Sequence, residues 1–130
     1  MGERILVPFD GSDHSRRALN RAISVDETTE VVVLYVLDSG TEQSTDDGLE
    51  RRSDRIVDEA RAVAESHGRE IETVELTGNP GTTIVEYAAA NDIDEIVMGS
   101  RGRSQSDGTA LGSVANAVIE RAPVTVTIVR

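Results

Sequence analysis

The sequence predicts an α/β domain on a five-stranded, parallel, doubly wound sheet. Three observations lead there. Short β-branched apolar runs alternate strictly with segments of helical periodicity. The strand-like runs are continuously apolar, which suits a parallel sheet covered on both faces. The helix-length segments between them fit crossover connections, in the order β-α-β-α-β-α-β-α-β. A chain of 130 residues buries roughly two-thirds of its unfolded surface, enough for one real core.

Each element has its own warrant. Arg4 to Phe9 (RILVPF) reads as a buried strand, and Asp10-Gly11-Ser12 is the turn after it. Ser12 would cap a helix in which Ala18, Leu19, Ala22 and Ile23 recur on one face. Glu30 to Leu37 (EVVVLYVL) is strongly β-branched and reads as a second buried strand. Ser39 to Gly48 is a polar loop. Leu49 to His67 is a charged helix with Ile56, Ala60, Val63 and Ala64 inward, stopped by Gly68. Glu70 to Leu76 alternates, as a strand at a sheet edge would. Asn79-Pro80 pairs a helix cap with proline at the first helical position. Ile84, Val85, Ala88 and Ala89 then point inward. Asp94 to Met98 is a short strand, and Gly99 to Gly108 a Gly/Ser/Arg loop. Leu111, Val114, Ala115, Val118 and Ile119 mark the last helix, and Val124 to Val129 (VTVTIV) the last strand. With no linker and no internal repeat, residues 1–130 form one domain.

Composition narrows the function. There are 24 acidic and 13 basic residues, for a net charge of −11. Such a balance argues against a nucleic-acid backbone or an anionic membrane as partner. All the basic residues are Arg, so a P-loop lysine and a Schiff-base lysine are excluded. An acidic, Lys-free surface suggests a halophile's salt-rich cytoplasm; an ordinary acidic bacterial protein is the plainer alternative. Cysteine is absent, which excludes disulfides, zinc ribbons and thiol catalysis. The longest wholly apolar run, Val31 to Leu37, has seven residues, far short of a membrane span. No signal peptide precedes the first strand, so the expected location is the cytoplasm.

Ligands of doubly wound sheets bind beyond the carboxyl ends of the strands, where strand order reverses. Two loops stand out there: Asp10-Gly11-Ser12 and Gly99 to Ser113. The second reads Gly99-Ser-Arg-Gly102, then nine residues, then Gly112-Ser113. Glycines let backbone N–H groups approach phosphate oxygens, and a helix start favours an anion. That helix would begin near Gly108 to Leu111, or later near Gly112. Arg101 and Arg103 place positive charge in a very acidic chain, and Ser113 offers a hydroxyl. By chance this composition would yield the Gly-x2-Gly-x9-Gly-[Ser/Thr] pattern about 0.01 times. An accident is therefore a poor account of it. A glycine-rich connection with a capping serine and no ligand is the bland one.

These residues resemble the universal stress protein family, and in particular its ATP-binding branch. Gly99, Gly102, Gly112 and Ser113 match the signature, and the likeness runs the length of the chain. Val7 to Ser12 resembles the opening strand and turn, and Gly78-Asn79-Pro80 the third βα junction. Asp94 to Gly99 and Ala122-Pro123-Val124 are similar too. The resemblance implies a Rossmann-like sheet in the order 3-2-1-4-5, of the adenine nucleotide alpha hydrolase-like kind. It implies ATP, or another adenine nucleotide, between strands one and four. Pro8, Asp10 and the Val36 backbone would lie near adenine. Gly99, Arg101, Gly102, Arg103 and Ser104 would lie beside ribose and phosphates. Gly112, Ser113 and Val114 would hold phosphates at the helix start, with Mg2+ or Mn2+ as a companion. It also implies a homodimer through the Val124–Val129 strand and a role as a stress-response switch or sensor. Gln105 to Ala110 departs from the family pattern, and Asp107 puts a negative charge in the phosphate loop.

Other residues read more plainly. Asp10 has a turn-holding role as its alternative. His14 in the first helical turn reads as solvated, and His67 as a helix C-terminal cation. Tyr35 reads as core. Asp92, Asp94 and Glu95 read as solvated, and Asp46-Asp47 as an exposed helix start. No cluster has metal-ligand spacing, and no residue stands out as a general base. The expectation is therefore no efficient enzyme, at most slow ATP hydrolysis or autophosphorylation on Ser113 or a nearby hydroxyl. A receiver domain fails for want of an acceptor Asp after the third strand and of any Lys. Three aromatic residues are few for a flavin carrier, and GxGxxG is missing after the first strand. The alternative that survives is a dimeric interaction module of the same fold that binds no nucleotide.

Overall fold

The computed structural model of the chain describes residues 3–25, 28–38, 46–101 and 111–130, of which 46–51 by backbone alone. The elements are β1 (Arg4–Pro8), α1 (Asp13–Val25), β2 (Glu30–Asp38), α2 (Asp46–Ser66), β3 (Glu72–Gly78), α3 (Pro80–Ala90), β4 (Glu95–Gly99), α4 (Ser113–Arg121) and β5 (Thr125–Val129). All pairings are parallel, in the order β3-β2-β1-β4-β5. Val7 stands beside Val33, and Leu6 beside both Val32 and Ile96.

Alternation along the central strands explains their unbroken apolarity. Ile5, Val7, Val31 and Val33 face Leu19 and Ala22 of α1 and Ile56 and Ala60 of α2. Leu6, Val32, Leu34 and Ile96 face Ile84 and Ala88 of α3 and Ala115 and Val118 of α4. Both faces are therefore buried. Leu6, Leu19, Leu34, Ile84 and Ile96 are almost wholly buried, so truncating any one to Ala costs about 2–5 kcal/mol. Phe9 lies just past β1 yet is buried as well, its N–H donating to the Leu34 carbonyl. Of the residues expected inward, Ala89 and Ile119 are exposed, and Leu111 precedes α4 rather than joining it. The helical stripe is narrower than the apolar pattern.

The helix ends obey local chemistry. Ser12 Oγ accepts from the Ser15 N–H, the bond of a residue capping α1. Asn79 Oδ1 accepts from the Thr82 N–H above Pro80, as the sequence implied. The end of α2 closes with Arg69 N–H on the Ala64 carbonyl and Gly68 N–H on the Glu65 carbonyl, a paired terminal motif. Arg69 then reaches across to hold the Ile23 carbonyl at the end of α1 and the Thr29 carbonyl before β2. At the amino ends of the strands, Arg4 meets Glu30 at 2.9 Å and Glu72 at 3.7 Å, and its Nε donates to the Asn91 carbonyl. Its backbone N–H donates to Asp94, and Thr127 Oγ1 donates to Glu95. Asp94 is exposed, as its solvated reading expected, whereas Glu95 is half-buried against Thr127, a correction to the same reading.

β3 and β5 are the edges, as the alternation of β3 implied. No helix among the described residues is long and apolar enough to cross a membrane.

Candidate functional site

Strand order reverses beside β1. From β1 the chain crosses to β2 on one side, whereas β4 lies on the other. Beyond the carboxyl ends of these strands opens a cleft of about 590 Å³, within the range of small-molecule sites. Leu34, Val36, Ile84 and Met98 give it apolar walls. Pro8 and Asp10 follow β1, and Gly99 and Arg101 end β4 and follow it. Gly112, Ser113 and Val114 start α4.

Eight residues singled out from the sequence therefore meet in one place: Pro8, Asp10, Val36, Gly99, Arg101, Gly112, Ser113 and Val114. Gly102, Arg103, Ser104 and Asp107 lie outside the described residues.

The turn after β1 is built by Gly11 at φ 82°, a left-handed value that side chains disfavour. Asp10 Oδ1 accepts from the Ser12 N–H at 2.9 Å, closing that turn. Its wall position and its turn role thus coexist, since one carboxylate has acceptor sites enough for both.

α4 begins at Ser113, the later of the two expected starts. Gly112 is its N-cap, and a glycine offers no side chain to accept from the helix amides. The Gly112 N–H is spent on the Ser100 carbonyl at 2.8 Å, and the Gly112 carbonyl accepts from Asn116. The amides of Ser113, Val114 and Ala115 open the helix without an intrahelical acceptor. Aligned peptide dipoles make that end favourable to an anion.

His14 corrects its solvated reading. It is half-buried, with Nδ1 at 3.1 Å from Ser100 Oγ and Nε2 at 3.3 Å from Arg101 Nη2. The sequence reading passed it over because its neighbours lie 86 and 87 residues away. Asp38, Arg52 and the Asn79-Pro80-Gly81 corner also line the cleft. Asp38 and Asn79 follow the general rule of strand carboxyl ends; Arg52, on α2, carried no signal. Tyr35 is core, as expected, and touches the cleft too. Among the described residues no group of three or more His, Asp or Glu is placed to hold a metal ion.

Comparison with known proteins agrees with this fold. The chain matches the universal stress protein family over residues 1–130. It is 32% identical to a universal stress protein of Methanocaldococcus jannaschii, over 98% of this chain and 82% of that one. The solved universal stress protein of Archaeoglobus fulgidus superposes with a TM-score of 0.83 at 27% identity, covering 100% of both chains. A universal stress protein solved in complex with cAMP gives a TM-score of 0.77 at 29% identity, covering 98% of this chain and 97% of that one. Sheet order and family match coincide: this chain belongs to the universal stress protein family.

Proposed function

We propose that this chain binds an adenine nucleotide, ATP before others, in the cleft between β1 and β4, and serves as a stress-response switch or sensor. The observation that carries the reading is that the start of α4, at a glycine N-cap, lines the same cleft as Arg101 and the apolar walls. A nucleotide needs these three things together: a dry slot for the base, a cation, and backbone donors for phosphate. A relative at 29% identity solved with cAMP supports the adenine class. Arg103 and Ser104 would add to the phosphate end.

The donor set suits phosphate oxygens. Arg101 supplies charge, and Ser113 supplies a hydroxyl beside its own amide. Mg2+ or Mn2+ accompanying ATP would take its ligands chiefly from the phosphates and water. Asp10 and Asp38 are the nearest described carboxylates in the cleft. The residues here bind and orient the nucleotide, with at most slow ATP hydrolysis or autophosphorylation.

The test is nucleotide content. The protein is purified in high salt and denatured, and the released small molecules are identified by chromatography and mass. Near-stoichiometric ATP supports the reading. No nucleotide, and no heat on adding ATP with magnesium, would leave the dimeric interaction module. That second reading draws on β5, an edge strand with half-buried Val126 and Ile128, whose outer backbone can pair with a second copy.

A further inference from the structure

Arg101 is the described cation that follows β4 in the cleft, and His14 is held against it. A guanidinium can only donate, so His14 Nε2 must accept from Arg101 Nη2 at 3.3 Å. That contact fits the tautomer with its proton on Nδ1. From there it donates to Ser100 Oγ at 3.1 Å. Ser100 is buried, and its carbonyl in turn holds the Gly112 N–H at the start of α4. One imidazole thus touches two successive residues of the loop that leads into the anion-facing helix. The contact is braced from behind, because Gly99 packs directly on the His14 backbone.

We propose that His14 is a positioning residue for the phosphate end of the cleft: as the neutral Nδ1-protonated tautomer it orients Arg101, and so sets how tightly nucleotide phosphates are held. This rests on the nucleotide-binding reading above. It adds a side chain from α1 that touches no ligand and acts through Arg101.

Two measurements on the full chain test it. Titration calorimetry in high salt compares ATP with adenosine. His14→Ala should weaken ATP binding about tenfold and change adenosine binding less than about twofold. His14→Gln, which keeps an acceptor near Nε2, should restore most of the loss; His14→Asn, which mimics Nδ1, should not. In an Arg101→Ala background, His14→Ala should add no further loss. Equal losses for ATP and adenosine, or an undiminished His14→Ala loss without Arg101, would overturn the proposal. Wild-type protein that binds ATP while His14→Ala binds it equally well sinks this inference alone. Wild-type protein that binds no nucleotide sinks the functional reading and this inference together. The second measurement needs no ligand. The chain has two histidines, and His67→Gln leaves one ring to observe. Its nitrogen NMR spectrum above neutral pH should show the proton on Nδ1; a proton on Nε2 contradicts the Arg101 contact.

Discussion

The Cβ that Gly99 lacks would lie 2.7 Å from the Cβ of His14 and 2.8 Å from the His14 carbonyl carbon. The end of β4 and the first turn of α1 therefore touch backbone to backbone. Sequence reasoning gave Gly99 to phosphate approach. The structure gives it a second role, helix-on-strand packing beneath the cleft. Gly99→Ala should cost about 1–3 kcal/mol as an overpacked contact. Urea unfolding in high salt measures it, and an unchanged midpoint would mean that α1 shifts away without cost.

Ser113 is exposed at the first position of α4. Its hydroxyl supports no described packing, so Ser113→Ala should leave the unfolding midpoint within about 0.5 kcal/mol of wild type. ATP affinity should fall roughly ten- to a hundredfold, the worth of one hydrogen bond to a charged group. Equal affinity in both proteins would remove Ser113 from the site.

Arg69 satisfies the carbonyls of Ile23 and Thr29. Arg69→Ala leaves both without this donor in a half-buried place. The expected loss is about 2–4 kcal/mol, since orphaned acceptors cost more than a bond is worth. Thermal unfolding should show it, with nucleotide affinity per folded molecule unchanged. A stability loss below about 0.5 kcal/mol would mean that water replaces the guanidinium.

Asn79 caps α3 and lines the cleft. Asn79→Ala should cost about 1 kcal/mol from the lost cap. Asn79→Asp restores a capping acceptor and so should restore stability, but it adds a negative charge to the cleft. ATP affinity should therefore fall in the Asp variant while stability recovers. Parallel recovery of both would detach Asn79 from the ligand.

Pairing of the β5 edge with a second copy, as proposed above, would give a mass twice that of the chain in sedimentation at micromolar protein. Val126→Asp should return the monomer, with far-ultraviolet dichroism retained. A monomeric wild type would remove β5 as the contact.

Much of this was legible before the fold was known. The β-branched run from Glu30, the Asn79-Pro80 cap, the alternation of β3 and the Gly99-to-Ser113 spacing act through neighbours close in the chain. Propensity, capping and periodicity are local, so the residue order alone carries them. The loops after β1 and β4 stood out because ligands of such sheets bind beyond the strand ends, while Pro8, Asp10 and Val36 were placed at the site by the family resemblance.

What only the assembled molecule decided depends on distant pairs. His14 and Arg101 stand 87 residues apart, and no local pattern couples them. Arg4 with Glu30, and Arg69 with Ile23, belong to the same class. Ala89 and Ile119 fit the helical period yet remain exposed, because the sheet beneath covers only one narrow stripe of each helix. Periodicity states which face is apolar. Only packing against the sheet fixes how much of that face is used, and which polar groups from far along the chain close the site.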